Sequence, residues 1–428
     1  MKTLLQINVT ANWGSTGKIA EQIGVMAQEN GWESYIAYGR DMNPSRNKLI
    51  KIGSMLDVYE HYIENTLLDN EGLASRRATK SFLKEIDKIK PDVVHLHNIH
   101  DHYLNFPLLF QYLAEKDIPV VWTQHDQWAV TGHCHYNLEG CERWKDECFD
   151  CPLSKCYSLD YSQRNHHLKK KLMSALPSLT IIPVSEWLAD NMRKSHLGYR
   201  PIKVIHNGID LDVFKPQVVD VHKRYGIAAE KKIVLGVASV WDKRKGLMDF
   251  YKLAERLPVD DYSIIIVGKV SCEFYVDKNR SDICQMIFLN RTQNTMELAQ
   301  LYTAASVFVN STYQDNYPTT NLEAMACGTP VITYKTGGSP EAVDGRTGAV
   351  VEQGDIDGLT KVVIGLASEE PDVISKECRK RAENLFDKNN CYLSYIDLYD
   401  SVLYSIGGGK FLSSYAASYF DNFKTIAA

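Results

Sequence analysis

Three segments of the chain carry residue types suited to a phosphorylated ligand rich in hydroxyls. The first, Asn12-Trp13-Gly14-Ser15-Thr16-Gly17-Lys18, follows a β-branched run and opens a helical pattern. Gly14 and Gly17 would let a phosphate approach backbone N–H groups at the positive end of that helix. A plain strand-to-helix turn uses the same residues, and the first glycine of a Walker A loop is missing. The second, Ser239-Val240-Trp241-Asp242-Lys243-Arg244-Lys245-Gly246, sets three consecutive cations at a strand end. That pattern suits an anionic ligand or a solvated loop. The third runs from Asp315-Asn316-Tyr317-Pro318-Thr319-Thr320-Asn321-Leu322-Glu323 into Ala324-Met325-Ala326-Cys327-Gly328. Its two carboxylates, Asp315 and Glu323, flank a loop and a helix start. One suits a sugar hydroxyl and the other a ribose, with the Thr319 and Thr320 amides turned to phosphate between them. Helix capping by Asp315, Thr319 or Thr320 is the simpler alternative.

A separate chemistry is written in the cysteines, five of which fall between Cys134 and Cys156. Cys148 and Cys151 form a C-x2-C pair, a spacing at which two thiolates chelate one tetrahedral ion. Cys134 and Cys141 complete a four-sulfur set for a structural zinc ion, with His135 or Cys156 as substitutes. Buried thiols, a disulfide and an iron–sulfur cluster are the alternatives. The spacing is not that of a zinc finger, so it does not point to nucleic acid. The expected task of this loop, residues 133–156, is to order the chain after His125.

Positioning such residues takes a large α/β framework. The chain has 428 residues, 44% hydrophobic and 24% charged, enough for two or three domains. Its 48 basic against 53 acidic residues argue against a predominantly electrostatic nucleic-acid binder. Neither a signal-type leader nor an apolar run of membrane-spanning length stands out, so the expected location is the cytoplasm. Attachment at the inner face of the cytoplasmic membrane stays open.

Short β-branched runs alternate with amphipathic stretches. Strands are expected at Thr3–Val9, Val93–His97, Pro119–Thr123, Thr180–Val184 and Lys203–His206. A second series follows at Ile233–Val237, Ser263–Val267, Met286–Leu289, Ser306–Val309 and Pro330–Thr333. Ile19, Ile23 and Met26 mark the first helix, with Ser15 or Thr16 as its cap. The repeated series predicts two doubly wound, Rossmann-like α/β domains facing across a cleft. The expected boundaries are 1–199 for an acceptor-side domain, 200–390 for a donor domain, and 391–428 for a last helix and tail packing back on the first domain. Phe411, Tyr415 and Tyr419 in that tail suit intrachain packing or a membrane surface. His95 and His97 alternate on a strand, one expected to face the cleft and the other the interior. Trp122 and Trp128 are expected to pack in the core and a loop. Cys272, Cys284, Cys327, Cys378 and Cys391 read as small buried apolar residues.

The third segment resembles the E-x7-E motif of retaining family-4 glycosyltransferases of the GT-B fold, with Asp315 in the first Glu position. His206-Asn207-Gly208-Ile209-Asp210 with Phe214 and Pro216 resembles that family's N-G-[IV]-D-x3-F-x-P block. Lys245-Gly246 resembles its K-G block, and Thr336-Gly337-Gly338-Ser339-Pro340-Glu341 its G-G-x-P-E loop. Val94-His95-Leu96-His97 and Thr123-Gln124-His125-Asp126 match more loosely. The branch most resembled builds bacterial surface polysaccharides.

The resemblance implies a nucleotide-diphosphate-sugar donor and a glycan or lipid-linked acceptor, transfer with retention, and no cofactor for catalysis. It implies that Lys245, with Arg244, binds the donor diphosphate, that Glu323 holds the ribose, and that Asp315 contacts the transferred sugar. His125 would sit over that sugar, and Gly14 and Gly17 would complete the phosphate cradle. Asn316, Tyr317, Thr319 and Thr320 fall in the donor loop. Ser239 stands where the family usually carries Arg, and Tyr317-Pro318 where it carries Phe-Gly. Pro318 has no N–H to offer a phosphate. Asp210-Leu211-Asp212 spells a D-x-D, but inside the N-G-I-D block. The rival readings are a nucleotide-sugar epimerase on the same fold and a silent nucleotide- or sugar-binding protein.

Overall fold

The computed structural model describes residues 1–136, 140–153, 159–272 and 283–407. The tail carrying Phe411, Tyr415 and Tyr419, and Cys156, lie outside the described residues. The chain divides into two compact units: Met1–His206 with the chain from Cys391, and Asn207–Asn390. The division falls at His206/Asn207, inside the N-G-I-D block, where the sequence reading put it at 199/200.

In unit 1 the strands are β1 (Lys2–Asn8), β2 (Trp32–Tyr38), β3 (Lys48–Lys51), β4 (Val93–Leu96), β5 (Val120–Gln124) and β6 (Leu179–Pro183). They form one six-stranded sheet in the order β3-β2-β1-β4-β5-β6, every pair parallel. Helices α1 (Gly14–Glu29), α2 (Met55–Leu68), α3 (Arg76–Ile89), α4 (Phe106–Glu115), α5 (Ser162–Ser174) and α6 (Glu186–Arg193) are interleaved with the strands. All four residues of β4 and all five of β5 are buried, as strands covered on both faces require.

Unit 2 repeats the pattern. Its strands are β7 (Lys232–Trp241), β8 (Tyr262–Val270), β9 (Gln285–Leu289), β10 (Val307–Asn310), β11 (Val331–Tyr334) and β12 (Gly348–Val351). The order β12-β11-β10-β7-β8-β9 is the unit 1 order again, offset by six strands. Helices α7 (Val221–Tyr225), α8 (Leu247–Ala254), α9 (Thr295–Ala304), α10 (Thr319–Ala326), α11 (Ile356–Leu366) and α12 (Pro371–Leu385) complete it, and α13 (Lys388–Gly407) returns the chain to unit 1. In both sheets the order reverses direction beside the first strand, the switch point where open α/β sheets bind ligands.

Each unit has its own core. In unit 1, Leu4, Ile23, Val93, Val121 and Ile182 from the sheet and α1 pack with Tyr392, Tyr395, Ile396 and Tyr399 of α13. In unit 2, Val234, Ile264, Ile266, Val307, Val309 and Ile332 pack with Trp241, Leu247 and Phe250.

Some expectations are corrected. Lys203–His206 is not a strand: it runs beside β6, with Lys203 N–H bonded to Ile181 O and Ile205 N–H to Pro183 O, and its neighbour Ile202 makes the isolated bridge. Pro201, which has no N–H, can only accept there, from Ile181. Ser15 and Thr16 lie inside the first turn of α1, whose N-cap is Trp13 and has no side-chain cap. β2, β3 and β12 escaped the reading because they are short or mix polar residues into the run; β3, at the sheet edge, has no buried residue. Trp122 and Trp128 are buried. Cys272 is exposed and Cys391 half-buried, so the small-apolar reading fails for those two, whereas Cys284, Cys327 and Cys378 are buried.

Candidate active site

The cationic loop of unit 2 is built by capping. Asp242 caps a short 3-10 turn, Lys243–Lys245, by accepting from the Lys245 N–H at 2.9 Å. Gly246 then takes φ +72°, and a Cβ there would lie 2.2 Å from the Ser311 carbonyl oxygen. Only glycine meets both demands without displacing the turn. The Ser311 hydroxyl, at the end of β10, donates to the Lys245 and Gly246 carbonyls. Tyr313 N–H donates to Arg244 O at 2.7 Å, and the Arg244 guanidinium returns to the Gln314 carbonyl at 2.9 Å. The Lys243–Gly246 turn and the 311–315 loop are therefore one unit.

That zipper sets Lys245 Nζ 2.6 Å from Asp315 Oδ2, with the two side chains 20% and 16% exposed. Gly337 (φ +52°) lies against the Asp315 carbonyl, 1.8 Å from where its Cβ would be, so the G-G-x-P-E loop backs the Asp315 loop. Asn321 of α10 ties the same loop down, accepting from Asn310 at 2.8 Å and donating to the Ser339 hydroxyl at 3.0 Å. Asn316 and Tyr317 are buried, and Pro318 is the N-cap of α10. No side chain caps α10, which removes the capping alternative for Asp315, Thr319 and Thr320. A proline cannot cap with its side chain, so the first-turn amides of Thr319 and Thr320 receive no capping bond from the N-cap. Glu323, one turn on, accepts from Tyr302 Oη at 2.9 Å. Arg244 and Lys245 on the turn after β7, Asp315, Asn316 and Tyr317 on the loop after β10, and Thr319, Thr320 and Glu323 on α10 are thus joined through these loops. Ser239 is exposed near the end of β7.

The N-G-I-D block is a clasp. Asp210 pairs with Lys388 Nζ at 2.5 Å and accepts from the Asp212 and Val213 amides, while Ile209 N–H donates to Phe386 O and Ile209 O accepts from Lys388 N–H. Its D-x-D letters are accounted for by this turn.

Unit 1 carries the histidines. His95 and His97 are both buried rather than divided between a ligand face and the interior, because residues two apart share one face of a strand. His95 is bonded to Tyr399 Oη (2.6 Å) and Thr123 Oγ1 (2.7 Å), and Tyr395 Oη meets the same threonine at 3.0 Å. Burial keeps His95 neutral, well below the usual histidine range. His97 links Gln6 Oε1 (3.0 Å) to His125 Nε2 (3.1 Å), and its ring stacks on His125. Burial pushes His125 down to about 4, so it is a neutral imidazole at pH 7. Gly14 (φ +64°) opens α1 with nothing within 4 Å of a Cβ, and Gly17 is pressed on Thr10.

Beside His125 lies a buried polar group that the sequence reading missed. His100 Nε2 meets Asp126 Oδ2 at 2.8 Å, Trp128 Nε1 donates to Glu71 Oε2 at 2.8 Å, and His135 Nε2 lies 3.2 Å from both Glu71 oxygens. Burial would raise the Asp126 carboxyl, but His100 and His135 overcome it and hold the group down to about 2. Glu71 is likewise held well below the usual carboxylate range, burial being outweighed by His135. The H-L-H-N-I-H run from His95 to His100 was a signal for one member; Glu71, remote in sequence, gave none.

Cys134, Cys141, Cys148 and Cys151 line one small cavity together with His133 and Trp144, and none of the four is in a disulfide. Burial pushes the Cys134 thiol up to about 12 and Cys148 up to about 11. Burial also raises Cys151, but His133, 3.2 Å away, reverses it and lowers that thiol. His133 is itself held by Asp69 at 2.9 Å.

Residues 220–385 match the family model of glycosyl transferases group 1, and residues 19–213 that of glycosyltransferase family 4. The chain is 24% identical over 387 residues to WcaC of Escherichia coli (strain K12), named for colanic acid biosynthesis as a glycosyl transferase. That match covers 82% of this chain and 88% of WcaC. Among solved structures, the sucrose-phosphate synthase of Thermosynechococcus elongatus superposes with a TM-score of 0.70 at 18% identity, covering 95% of this chain and all of that one. HepE of Anabaena, solved in complex with UDP, gives 0.64 at 15% identity, covering 94% and 100%. At these identities the likeness is one of fold.

Proposed function

Because this chain belongs to the group 1, family 4 glycosyltransferases, we propose that it moves a hexosyl residue, with retention of configuration, from a nucleoside-diphosphate sugar to a glycan or lipid-linked glycan in cell-surface polysaccharide assembly. The observation that carries this reading is Lys245, held by the capped turn at 2.6 Å from Asp315, with the uncapped first turn of α10 on the same loop. An ammonium and free amides at a helix start are a receptor for a diphosphate. As the glycosidic bond breaks, charge grows on the leaving diphosphate, and Lys245 with Arg244 neutralises it without a metal. Glu323 takes the ribose hydroxyls. Asp315 exchanges its Lys245 partner for a hydroxyl of the transferred sugar.

His125, neutral at pH 7, positions the sugar from unit 1, and Gly14 and Gly17 admit the phosphate to the start of α1. Retention follows a front-face displacement, in which the acceptor oxygen bonds to the anomeric carbon as the phosphate leaves and takes the acceptor proton. A lipid-linked acceptor is met by peripheral association at the inner face of the cytoplasmic membrane; no helix among the described residues is long and apolar enough to cross a membrane. Catalysis needs no cofactor; a structural zinc ion on Cys134, Cys141, Cys148 and Cys151 orders the loop after His125.

The test is donor turnover. Purified protein with UDP- and GDP-hexoses and a lipid-linked glycan acceptor should release nucleoside diphosphate only when acceptor is present, and Lys245→Ala should lose about 100-fold or more in kcat. Undiminished turnover in that variant overturns the site. Donor binding without consumption would favour the silent binding protein.

A further inference from the structure

We propose that Glu71, His100 and His135 form a second metal site, separate from the four thiols, that binds one divalent transition-metal ion, zinc in the first instance. One donor atom from each of the three lies within 4.8 Å of the others. His135 Nε2 stands 3.2 Å from each Glu71 oxygen. Two ligands on one tetrahedral zinc, with bonds of about 2.0–2.2 Å, are themselves about 3.3 Å apart, so this pair is already spaced to share an ion.

His100 supplies the independent sign. It is 5% exposed, and its Nδ1 is buried with no hydrogen-bond partner among the described residues. Its Nε2 lies 2.8 Å from Asp126 Oδ2. A carboxylate on one ring nitrogen fixes the tautomer that leaves the other nitrogen with its lone pair, which is the usual support for a metal-bound histidine. A buried nitrogen without a partner carries an uncompensated loss of hydration, and an ion at that position removes it. Glu71 has the matching support from Trp128 Nε1 at 2.8 Å. His100 is followed by Asp101 (φ +80°) and His102 (φ +70°), consecutive non-glycine residues in the left-handed region, so the backbone that aims His100 is held against strain.

Two imidazoles and one carboxylate suit zinc or iron(II) and do not suit magnesium or calcium. The His135 side chain is 35% exposed, which gives the ion a way in and leaves a fourth position to water. Asp126, bonded to His100, directly follows His125. The ion is thus a positioning element for the His125–Asp126 corner, and no bond of the substrate is made or broken on it.

The experiment uses full-length protein stripped with a chelator and titrated with Zn2+, and with Co2+ as a spectroscopic probe. Cys148→Ser/Cys151→Ser removes the thiol set. In that background one zinc per chain should remain, and the cobalt form should show visible bands without the intense near-ultraviolet absorption that thiolate ligands give. Adding His100→Ala or His135→Ala should weaken zinc at least about 100-fold. No zinc bound in the Cys148→Ser/Cys151→Ser background overturns the proposal. So does zinc affinity unchanged by His135→Ala, the half-exposed ligand whose loss least disturbs folding. Cobalt added to the unaltered protein reads the same distinction should the double variant misfold: only thiolate-type absorption through two equivalents overturns the site, and nitrogen/oxygen-type bands lost in His135→Ala support it.

Discussion

If Lys245 receives the donor diphosphate as proposed, Asp315 competes for the same ammonium, and removing its charge should tighten nucleotide binding while impairing transfer. In the free protein Lys245 Nζ and Asp315 Oδ2 are 2.6 Å apart and both side chains are largely buried. A charge-assisted hydrogen bond of this kind is worth about 1.5–3 kcal/mol and a solvent-exposed pair at most about 1. With exposures of 20% and 16%, a value of about 1–2 kcal/mol is appropriate, and UDP must overcome it to reach Lys245. Asp315→Asn keeps the shape and removes the competitor, so the affinity for UDP or GDP should rise about 5- to 30-fold. UDP lacks the transferred hexose, so the contact proposed between Asp315 and that hexose does not enter. Lys245→Ala should weaken the same ligand by about tenfold or more, and transfer should fall in both variants. Titration calorimetry on the three proteins reads all of this directly. If Asp315→Asn binds the diphosphate no better than the parent, or worse, then Asp315 does not compete with phosphate and the assignment of the two charges is wrong.

Four further outcomes are expected. Gly246→Ala forces an L-residue into φ +72° against the Ser311 carbonyl, so unit 2 should lose at least about 2 kcal/mol in urea unfolding and nucleotide affinity should drop with it; an unshifted midpoint would refute the turn argument. Tyr399→Phe leaves His95 Nδ1 buried without its 2.6 Å partner and should cost about 1–3 kcal/mol by chemical denaturation, with donor binding to unit 2 unchanged. Burial pushes Cys284 up to about 11 and Cys327 and Cys378 up to about 12, so at pH 8 iodoacetamide should label exposed Cys272 in the folded protein and spare those three; mass spectrometry that finds Cys378 labelled as fast would contradict its burial. Metal analysis should find zinc held by the thiol set, and Cys148→Ser/Cys151→Ser should lose that ion and lower the thermal midpoint; equal metal content in parent and variant would leave the cavity to plain thiols.

Much of the architecture was legible because parallel sheets covered on both faces print themselves as continuous apolar runs. Ile264-Ile265-Ile266-Val267 and Val93-Val94 could hardly be anything else, and their repetition in two series announced two Rossmann-like units. Residues close in sequence were also legible as local structure: Lys243 to Gly246 and Asp315 to Glu323 fall on turns and helix starts whose geometry their own types dictate. The edge strands β3 and β12 were not, since a strand with little burial has no periodic signature.

What tertiary structure alone decided is which distant residues share a volume. A separation of 70 residues between Lys245 and Asp315, or of 64 between Glu71 and His135, leaves no local pattern to link the two. Their meeting depends on the sheet order, which aligns the ends of strands far apart in the chain. The fate of each histidine was settled in the same way. His95 became structural because α13, some 300 residues later, brings Tyr399 to it, whereas His97 and His100 turn toward His125 and Asp126. A sequence records what each residue can donate, accept or bury, and local steric rules extend that to turns and caps. Which donor finds which acceptor is fixed only when non-local packing closes the core around them.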